Sequence, residues 1–270
     1  MQWDAPSYII QAIIDFNQNS KHNINNISKQ LNSLNCKHLQ LRFYDIPQKG
    51  YLNKMLSFFD SSTLQSIDII IPFSSKYSYE FFTKLTVIFQ RINSIIITNS
   101  PKDELKGIYG KNANATINYI KKEIKDESAC GVVDISYFVI NLKMFTESQK
   151  HNTCLNRKIS IDVNGDIKNC PSMAKSYGNI KNTTLTKAIK KQGFKDLWYI
   201  HKDLIEVCKD CEFRHICTDC RAYLKKPENI YSQPKKCNYN PYIAKWKGQE
   251  GYFTVKEWEK NQTKSKINNY

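Results

Sequence analysis

Apolar positions in the first hundred residues alternate between two spacings. Ile27, Leu31 and Leu34 recur every three or four residues, as on one face of an amphipathic helix, whereas the apolar runs between such segments are short and continuous, as in buried strands. The pattern predicts a helix over 27–34, a strand over 38–44, a helix over 51–59, a strand over 67–73, a helix over 79–92 and a strand over 94–98.

Strands separated by helices predict a parallel sheet covered by helices, because a parallel connection needs a long crossover. We therefore expect an α/β fold, either an α/β layer or part of a βα barrel. Residues 102–127 are polar and rich in lysine, and 132–145 (VVDISYFVINLKMF) is the last long apolar stretch. A boundary near 146–153 is predicted, which gives a first domain over 1–150.

The second half of the chain predicts shorter elements. Asn164-Gly165 is a dipeptide typical of a type I′ turn, and it predicts a β-hairpin between 158–163 and 166–169. That hairpin folds the chain back and can bring Cys154 and Cys170 towards one site.

Helical and aromatic segments follow the hairpin. Thr183 or Thr184 is a candidate N-cap for a helix that ends before Gly193, and an amphipathic pattern restarts over 194–205. The region after Cys237 is rich in aromatic residues and then becomes polar, so we expect it to pack against its own domain before ending in a tail.

The net charge of +15 is unevenly distributed. Residues 1–150 carry 17 Lys and Arg against 13 Asp and Glu, and residues 151–270 carry 23 against 12. The basic excess of the second half can attract nucleic acid or an acidic peptide, or offset anionic thiolate clusters. A solvated basic surface is the simplest alternative.

Two further observations favour a soluble cytoplasmic protein. The start, MQWDAPSYII, lacks the basic stretch and apolar core of an export signal. No apolar run approaches the roughly 18 residues that span a bilayer, so no membrane partner is expected.

Seven of the nine cysteines lie in the last 120 residues, and this clustering is the strongest chemical signal in the chain. In a chain without an export signal, closely spaced thiols indicate a metal more than disulfides. Zinc knuckles are usually joined by roughly 12 to 20 residues, whereas compact ferredoxin runs place closely spaced thiolates on separate iron atoms. The predicted metal ligands are Cys154, Cys170, Cys208, Cys211, Cys217, Cys220 and Cys237.

Other polar and thiol side chains receive simpler interpretations. Cys36 and Cys130 each stand alone beside apolar residues and are interpreted as buried small hydrophobes. His215 is expected at the surface or behind a ligand. Solvated or capping roles are expected for the three aspartates near the cysteines, Asp203, Asp210 and Asp219.

The cysteine order resembles that of a known domain. The series Cys154-x10-Gly165-x4-Cys170, Cys208-x2-Cys211-x5-Cys217, Cys220 and Cys237 is similar to the seven-cysteine SPASM domain of radical-SAM peptide-modifying enzymes. The segments VCKDCEFRHICTDCRAYL, CNYNPYIAKW and GYFTVKEWEKNQ resemble the SPASM-domain peptide maturase of the grasp-with-spasm type. The family places three residues between the last close pair, where this chain has only Thr218 and Asp219.

The resemblance implies a partial or degenerate βα barrel followed by a small SPASM domain over 151–245 and a tail over 246–270. It also implies two [4Fe–4S] clusters, with zinc as the alternative metal. Cys154, Cys170 and Cys220 would serve the first cluster, which is then one thiolate short. Its open iron could bind a substrate group or His151; the alternative is that this first cluster is incomplete or absent, so that one cluster is bound and not two. The second cluster would be held by Cys208, Cys211, Cys217 and Cys237.

The motif of a radical-SAM core is missing. That core needs Cys-x3-Cys-x2-Cys, but the first 150 residues contain only Cys36 and Cys130, and no two glycines are adjacent. We therefore expect this chain not to bind S-adenosylmethionine. The sequence assigns no catalytic residue.

The resemblance implies maturation of a ribosomally made peptide together with an ATP-grasp ligase, with the SPASM half holding clusters and binding the precursor. The basic excess suits an acidic precursor, since opposite charges raise association rates. The alternative is a zinc-stabilised nucleic-acid-binding protein, supported only by charge and the Cys-x2-Cys spacing. A redox enzyme that uses auxiliary clusters is a third hypothesis.

Overall fold

The computed structural model describes residues 8–110 and 113–267. Segment 1–7, considered above for a targeting signal, and residues 268–270 of the predicted tail lie outside the described residues. The chain forms two compact units: the first comprises Met1–Cys130 and Arg157–Lys195, and the second comprises Gly131–Asn156 and Asp196–Tyr270. The division into three domains made from the sequence stays a prediction.

Helices and strands alternate through the first part of the chain. In chain order the elements are β1 (Gln11–Phe16), α1 (Ile24–Ser33), β2 (His38–Phe43), α2 (Lys49–Ser57), β3 (Ser66–Pro72), α3 (Tyr79–Ile88), β4 (Ile92–Thr98), β5 (Glu104–Gly110), β6 (Ala113–Tyr119), α4 (Leu142–Ser148), β7 (Lys158–Ile161), β8 (Ile167–Lys168), α5 (Leu185–Ile189), β9 (Tyr239–Asn240), β10 (Lys245–Trp246) and α6 (Val255–Ile267). No helix in the described part of the chain is long and apolar enough to cross a bilayer.

The first unit is built on one eight-stranded sheet with the order β5-β6-β4-β3-β2-β1-β7-β8. Strands β1 to β4, β6 and β7 pair in parallel, whereas β5 and β8 are antiparallel to their neighbours. Within the described residues the sheet is open, with β5 and β8 at its edges. The unit therefore has a mixed α/β fold with a mostly parallel sheet, as predicted, but the sheet does not close into a barrel.

The predicted alternation of helices and strands over 27–98 is confirmed. Helix α1 begins after Asn23, whose side chain accepts a hydrogen bond from the Asn26 amide, and its buried face includes Ile27 and Leu31. Every second residue of β3 is buried, and the isoleucines at those positions form part of the sheet core.

Two parts of the sheet were not predicted from the sequence. Strand β1 lies between β2 and β7 and is buried over five of its six residues. Strands β5 and β6 form an antiparallel hairpin within the segment 102–127, which the sequence showed only as polar and rich in lysine.

The hairpin around Gly165 is confirmed, but its turn is not type I′. A type I′ turn needs positive φ at both central residues, and of the pair only Gly165 has it, at φ +89°. The Gly165 amide donates to the Asp162 carbonyl over 2.9 Å, and the Asp162 amide donates to the Asp166 carbonyl over 3.0 Å. Val163 thus lengthens the loop to three residues, closed by glycine in the left-handed region.

The second unit contains little regular structure. The amphipathic pattern over 194–205 forms two short 3-10 turns, Asp196–Tyr199 and Lys202–Leu204, and not a continued helix. Ile200 and Ile205 are buried here and form a small apolar cluster together with Cys208. A cysteine predicted to bind metal is therefore also part of the core.

Candidate metal centre

Four of the predicted ligands line one cavity in the second unit. The cavity itself is small, with a volume of about 20 Å³, and it opens to solvent. The thiols that line it belong to Cys208, Cys211, Cys217 and Cys237. These are the four residues that the resemblance assigns to the second cluster.

Local backbone structure places these four cysteines. Cys208 begins the 3-10 turn Cys208–Asp210, directly after Val207, whose φ of 66° is rare for a β-branched residue. The Cys217 amide donates to the Phe213 carbonyl over 2.9 Å. Cys237 pairs with Val133 in an isolated parallel bridge. Short turns and a single bridge, rather than a helix or a sheet, therefore present the thiols.

Aromatic side chains form one wall of the cavity. Phe213 lies 5.1 Å from Phe138 and 5.1 Å from Tyr239, and Tyr239 lies 4.8 Å from Trp246, between ring centroids. This packing agrees with the predicted role of the aromatic region after Cys237. The rings form an apolar wall that limits the access of water to the thiols.

Lys202 is a buried cation that lines the same cavity as the thiols. The Lys202 side chain is 4% exposed, and its Nζ lies 3.9 Å from Cys208 Sγ and 3.4 Å from Asp219 Oδ1. Arg221 Nε lies 2.6 Å from Asp219 Oδ2, and Arg221 Nη2 donates to Asp219 Oδ1 over 2.8 Å. The expected solvated or capping role of Asp219 is wrong, since its side chain is 1% exposed and bridges two cations.

Charge compensation keeps Lys202 protonated. Burial by itself disfavours the ammonium group, but the neighbouring cysteines, once deprotonated, and the Asp219 carboxylate outweigh burial and raise the pKa of Lys202 well above its usual range. Lys202 is therefore a fixed positive charge beside the thiols.

The thiols of Cys208, Cys211 and Cys217 are mostly protonated at neutral pH when no metal is bound. Burial raises the pKa of Cys208 to about 11 and that of Cys211 to about 12, and it also raises the pKa of Cys217. Lys202 opposes this effect at Cys208 and Cys217 by stabilising their thiolates. Because metals bind thiolates, a metal must displace protons here, and its binding strengthens as pH rises.

Asn152 connects the cavity to another predicted ligand. Its Nδ2 donates to Asp219 Oδ2 over 2.6 Å, and its Oδ1 accepts from the amides of Cys154 and Leu155 over 3.0 and 2.8 Å. Thr153 Oγ1 accepts from the Asp219 amide over 3.1 Å. Asn152 and Thr153 thus fix the backbone of Cys154 relative to Asp219.

The remaining predicted ligands are distributed over both units. Cys154 and Cys220 lie in the second unit, where burial raises the pKa of Cys220 and the charge of Cys154 raises it further. A Cβ on Gly131, at φ +82°, would come within 2.9 Å of Cys220 Sγ. Cys170 is buried and belongs to the first unit.

The two isolated cysteines differ from each other. Cys36 is fully buried, as expected, and burial raises its pKa to about 12. The interpretation of Cys130 as a buried hydrophobe is wrong, because its side chain is exposed.

Other polar residues near the cysteines make ordinary contacts. His215 Nδ1 lies 3.2 Å from Ser148 Oγ, Asp203 accepts from Arg214 Nε over 2.9 Å, and Asp210 accepts from the Tyr242 hydroxyl over 2.8 Å.

Across residues 8–110 and 113–267, no three His, Cys, Asp or Glu side chains are grouped as ligands of a single metal ion.

The sequence predicted the thiols but not the residues around them. Lys202, Asn152 and Arg221 are ordinary polar residues in the printed chain, and no spacing marks them. The nearest signal is that Lys202 precedes Cys208 by six residues.

The described residues form a mixed α/β fold with a cavity lined by four cysteines. A family model for SPASM, described as an iron–sulfur cluster-binding domain, matches residues 153–212. The match includes Cys154, Cys170, Cys208 and Cys211 and ends before Cys217. No curated protein and no solved structure matches the chain significantly.

Proposed function

We propose that the thiolates of Cys208, Cys211, Cys217 and Cys237 hold one [4Fe–4S] cluster. The observation that carries this proposal is that all four thiols line the same cavity. Thiolates are the ligands of iron–sulfur clusters, and a cluster presents several iron atoms to ligands spread around its body. The buried ammonium of Lys202 suits such an anionic group.

The donor set fits this cofactor better than a single zinc ion. The four cysteines line one cavity, and only five residues separate Cys211 from Cys217. Structural zinc usually has its two knuckles farther apart in sequence. A bound cluster would supply electron transfer or local stability; the protein supplies the ligands, the aromatic wall and the buried cation.

The remaining thiols of Cys154, Cys170 and Cys220 form a second proposed set, which rests on the resemblance alone. Iron stoichiometry separates the possibilities. About four iron atoms per chain would mean that one cluster is bound, and about eight would mean that both sets are occupied.

The proposed biological role is maturation of a ribosomally made peptide beside an ATP-grasp ligase. Three features support it: the match to a SPASM model, the resemblance of the carboxyl-terminal segments to grasp-with-spasm maturases, and the basic excess after residue 150. In this proposal the open sheet is a degenerate radical-SAM barrel, and basic residues after position 150 bind the precursor through their charge.

Metal analysis of the anaerobically purified chain tests the cofactor. We expect a brown protein that contains iron and acid-labile sulfide, and we expect Cys208→Ala and Cys237→Ala to lose both. Cys36→Ala removes a thiol outside the cavity and is the control that keeps the metal. Colourless protein that contains zinc and binds nucleic acid tightly would instead support the zinc-stabilised alternative.

Peptide binding tests the proposed partner. A synthetic peptide rich in Asp and Glu should bind more tightly than its Asn and Gln counterpart, and added salt should weaken the binding because it screens charge. Cys208→Ala should also weaken the binding if the cluster shapes the peptide site. An affinity that does not change with peptide charge, with salt or with loss of the cluster would refute the acidic-precursor proposal.

A further inference from the structure

Lys202 is placed where a lysine is costly unless anions surround it. Its side chain is 4% exposed, and removing a charged group from water is strongly unfavourable. Its partners in the structure are Asp219 Oδ1 at 3.4 Å and Cys208 Sγ at 3.9 Å. One of these two partners is a proposed cluster ligand.

The carboxylate does not balance the charges by itself. Asp219 is shared with Arg221, whose side chain is fully buried and lies as close as 2.6 Å. Two cations therefore face one carboxylate. The Cys208 thiol is the other group in contact with Lys202, and as a thiolate it can supply the missing negative charge.

A cation in this position favours electron uptake. Reduction adds one negative charge to a cluster, and a fixed positive charge with hydrogen bonds to the ligand sulfurs stabilises the reduced form more than the oxidised form. The effect is strong because the ammonium is buried and poorly screened.

We infer that Lys202 is a positioning residue whose ammonium holds the Cys208 ligand and raises the reduction potential of the cluster that this cysteine binds. This inference rests on the proposed function. It gives the Lys202–Asp219–Arg221 network a role beyond folding: Asp219 and Arg221 keep the ammonium in place, and Lys202 acts on the Cys208 sulfur.

A redox titration of the full chain tests the inference. Dithionite supplies one electron to the cluster, no proton is bound, and electron paramagnetic resonance follows the reduced form. Lys202→Met should retain iron and sulfide but show a lower potential than the wild type. The matched control is Lys226→Met, because Lys226 is 61% exposed and pairs with Glu206 over 3.1 Å. The control should leave the potential unchanged.

The outcomes separate the inference from the proposed function. Wild-type protein without iron and sulfide would overturn the proposed function. A loaded Lys202→Met variant with an unchanged potential would overturn only the inference. If Lys202→Met does not retain the cluster, Lys202→Arg is the second test. A Lys202→Arg protein that retains the cluster, with a potential near that of the wild type, supports the role of the positive charge. A Lys202→Arg protein without the cluster refutes the inference.

Discussion

At the scale of single residues, buried charges are the most sensitive points of this structure. In the first unit Arg42 Nε and Nη2 donate to the two Asp15 oxygens over 2.6 and 2.7 Å, and the Tyr44 hydroxyl donates to Asp15 over 2.7 Å. Asp15 and Arg42 lie on neighbouring parallel strands, β1 and β2. The pair is complete as it stands, so the loss of one partner leaves the other uncompensated.

We predict that Arg42→Met destabilises the first unit by about 3–5 kcal/mol, the usual result of leaving a buried charge without its partner. The double variant Asp15→Asn with Arg42→Met should recover part of that loss, because it also removes the unpaired carboxylate. Chemical denaturation measures both. The control is Lys125→Met, which breaks an exposed pair with Glu123 and should change the free energy of unfolding by less than about 1 kcal/mol. Equal effects of Arg42→Met and Lys125→Met would contradict the prediction.

A glycine beside Cys220 gives a second prediction at this scale. Gly131 has φ +82°, and an added Cβ would come within 2.9 Å of Cys220 Sγ. Gly131→Ala should therefore destabilise the second unit by about 1–2 kcal/mol or more through backbone strain. Gly50 is the matched control, since it lies in α2 with nothing within 4 Å of an added Cβ. Thermal melting should show Gly50→Ala neutral or stabilising, by about 0.4–1 kcal/mol.

At the scale of elements, the sequence predicted the helices and strands whose apolar residues recur with a strong periodicity. The helices and strands over 27–98 were predictable because each repeats an apolar face. The hairpin of β5 and β6 was not predictable, because its outer strand is polar and exposes Leu105 and Tyr109. At the site, the cysteine spacing drew attention to the four cysteines that line the cavity, but the contact between Asn152 and Asp219 joins residues 67 positions apart, which no local pattern can reveal.

The two strands of this hairpin should respond differently to truncation. Ile117 in β6 is fully buried, so Ile117→Ala should cost about 2–5 kcal/mol of unfolding free energy. Leu105 in β5 is 69% exposed, so Leu105→Ala should change the free energy of unfolding by no more than about 0.5 kcal/mol. Urea denaturation of both variants measures the contrast. Similar costs would mean that β5 and β6 are buried to the same extent.

At the scale of the whole molecule, the two units draw stability from different sources. The first has an eight-stranded sheet with a large apolar core. The second has short turns and an apolar cluster of Ile200, Ile205 and Cys208, so one of its core residues is itself a proposed ligand. Small domains with little core commonly depend on metal for stability.

Removal of iron should therefore affect the two units unequally. After chelation of the anaerobic protein, we expect the amides of Cys211 and Cys217, which donate to the carbonyls of Cys208 and Phe213, to lose protection from hydrogen exchange. Amides in β2 and β3 should keep their protection, since parallel ladders of the large sheet hold them. Chelator added to Cys208→Ala provides the control, because a variant that already lacks the cluster should change no further. Full retention of protection at Cys211 and Cys217 in the chelated wild type would mean that these loops are held by protein contacts alone.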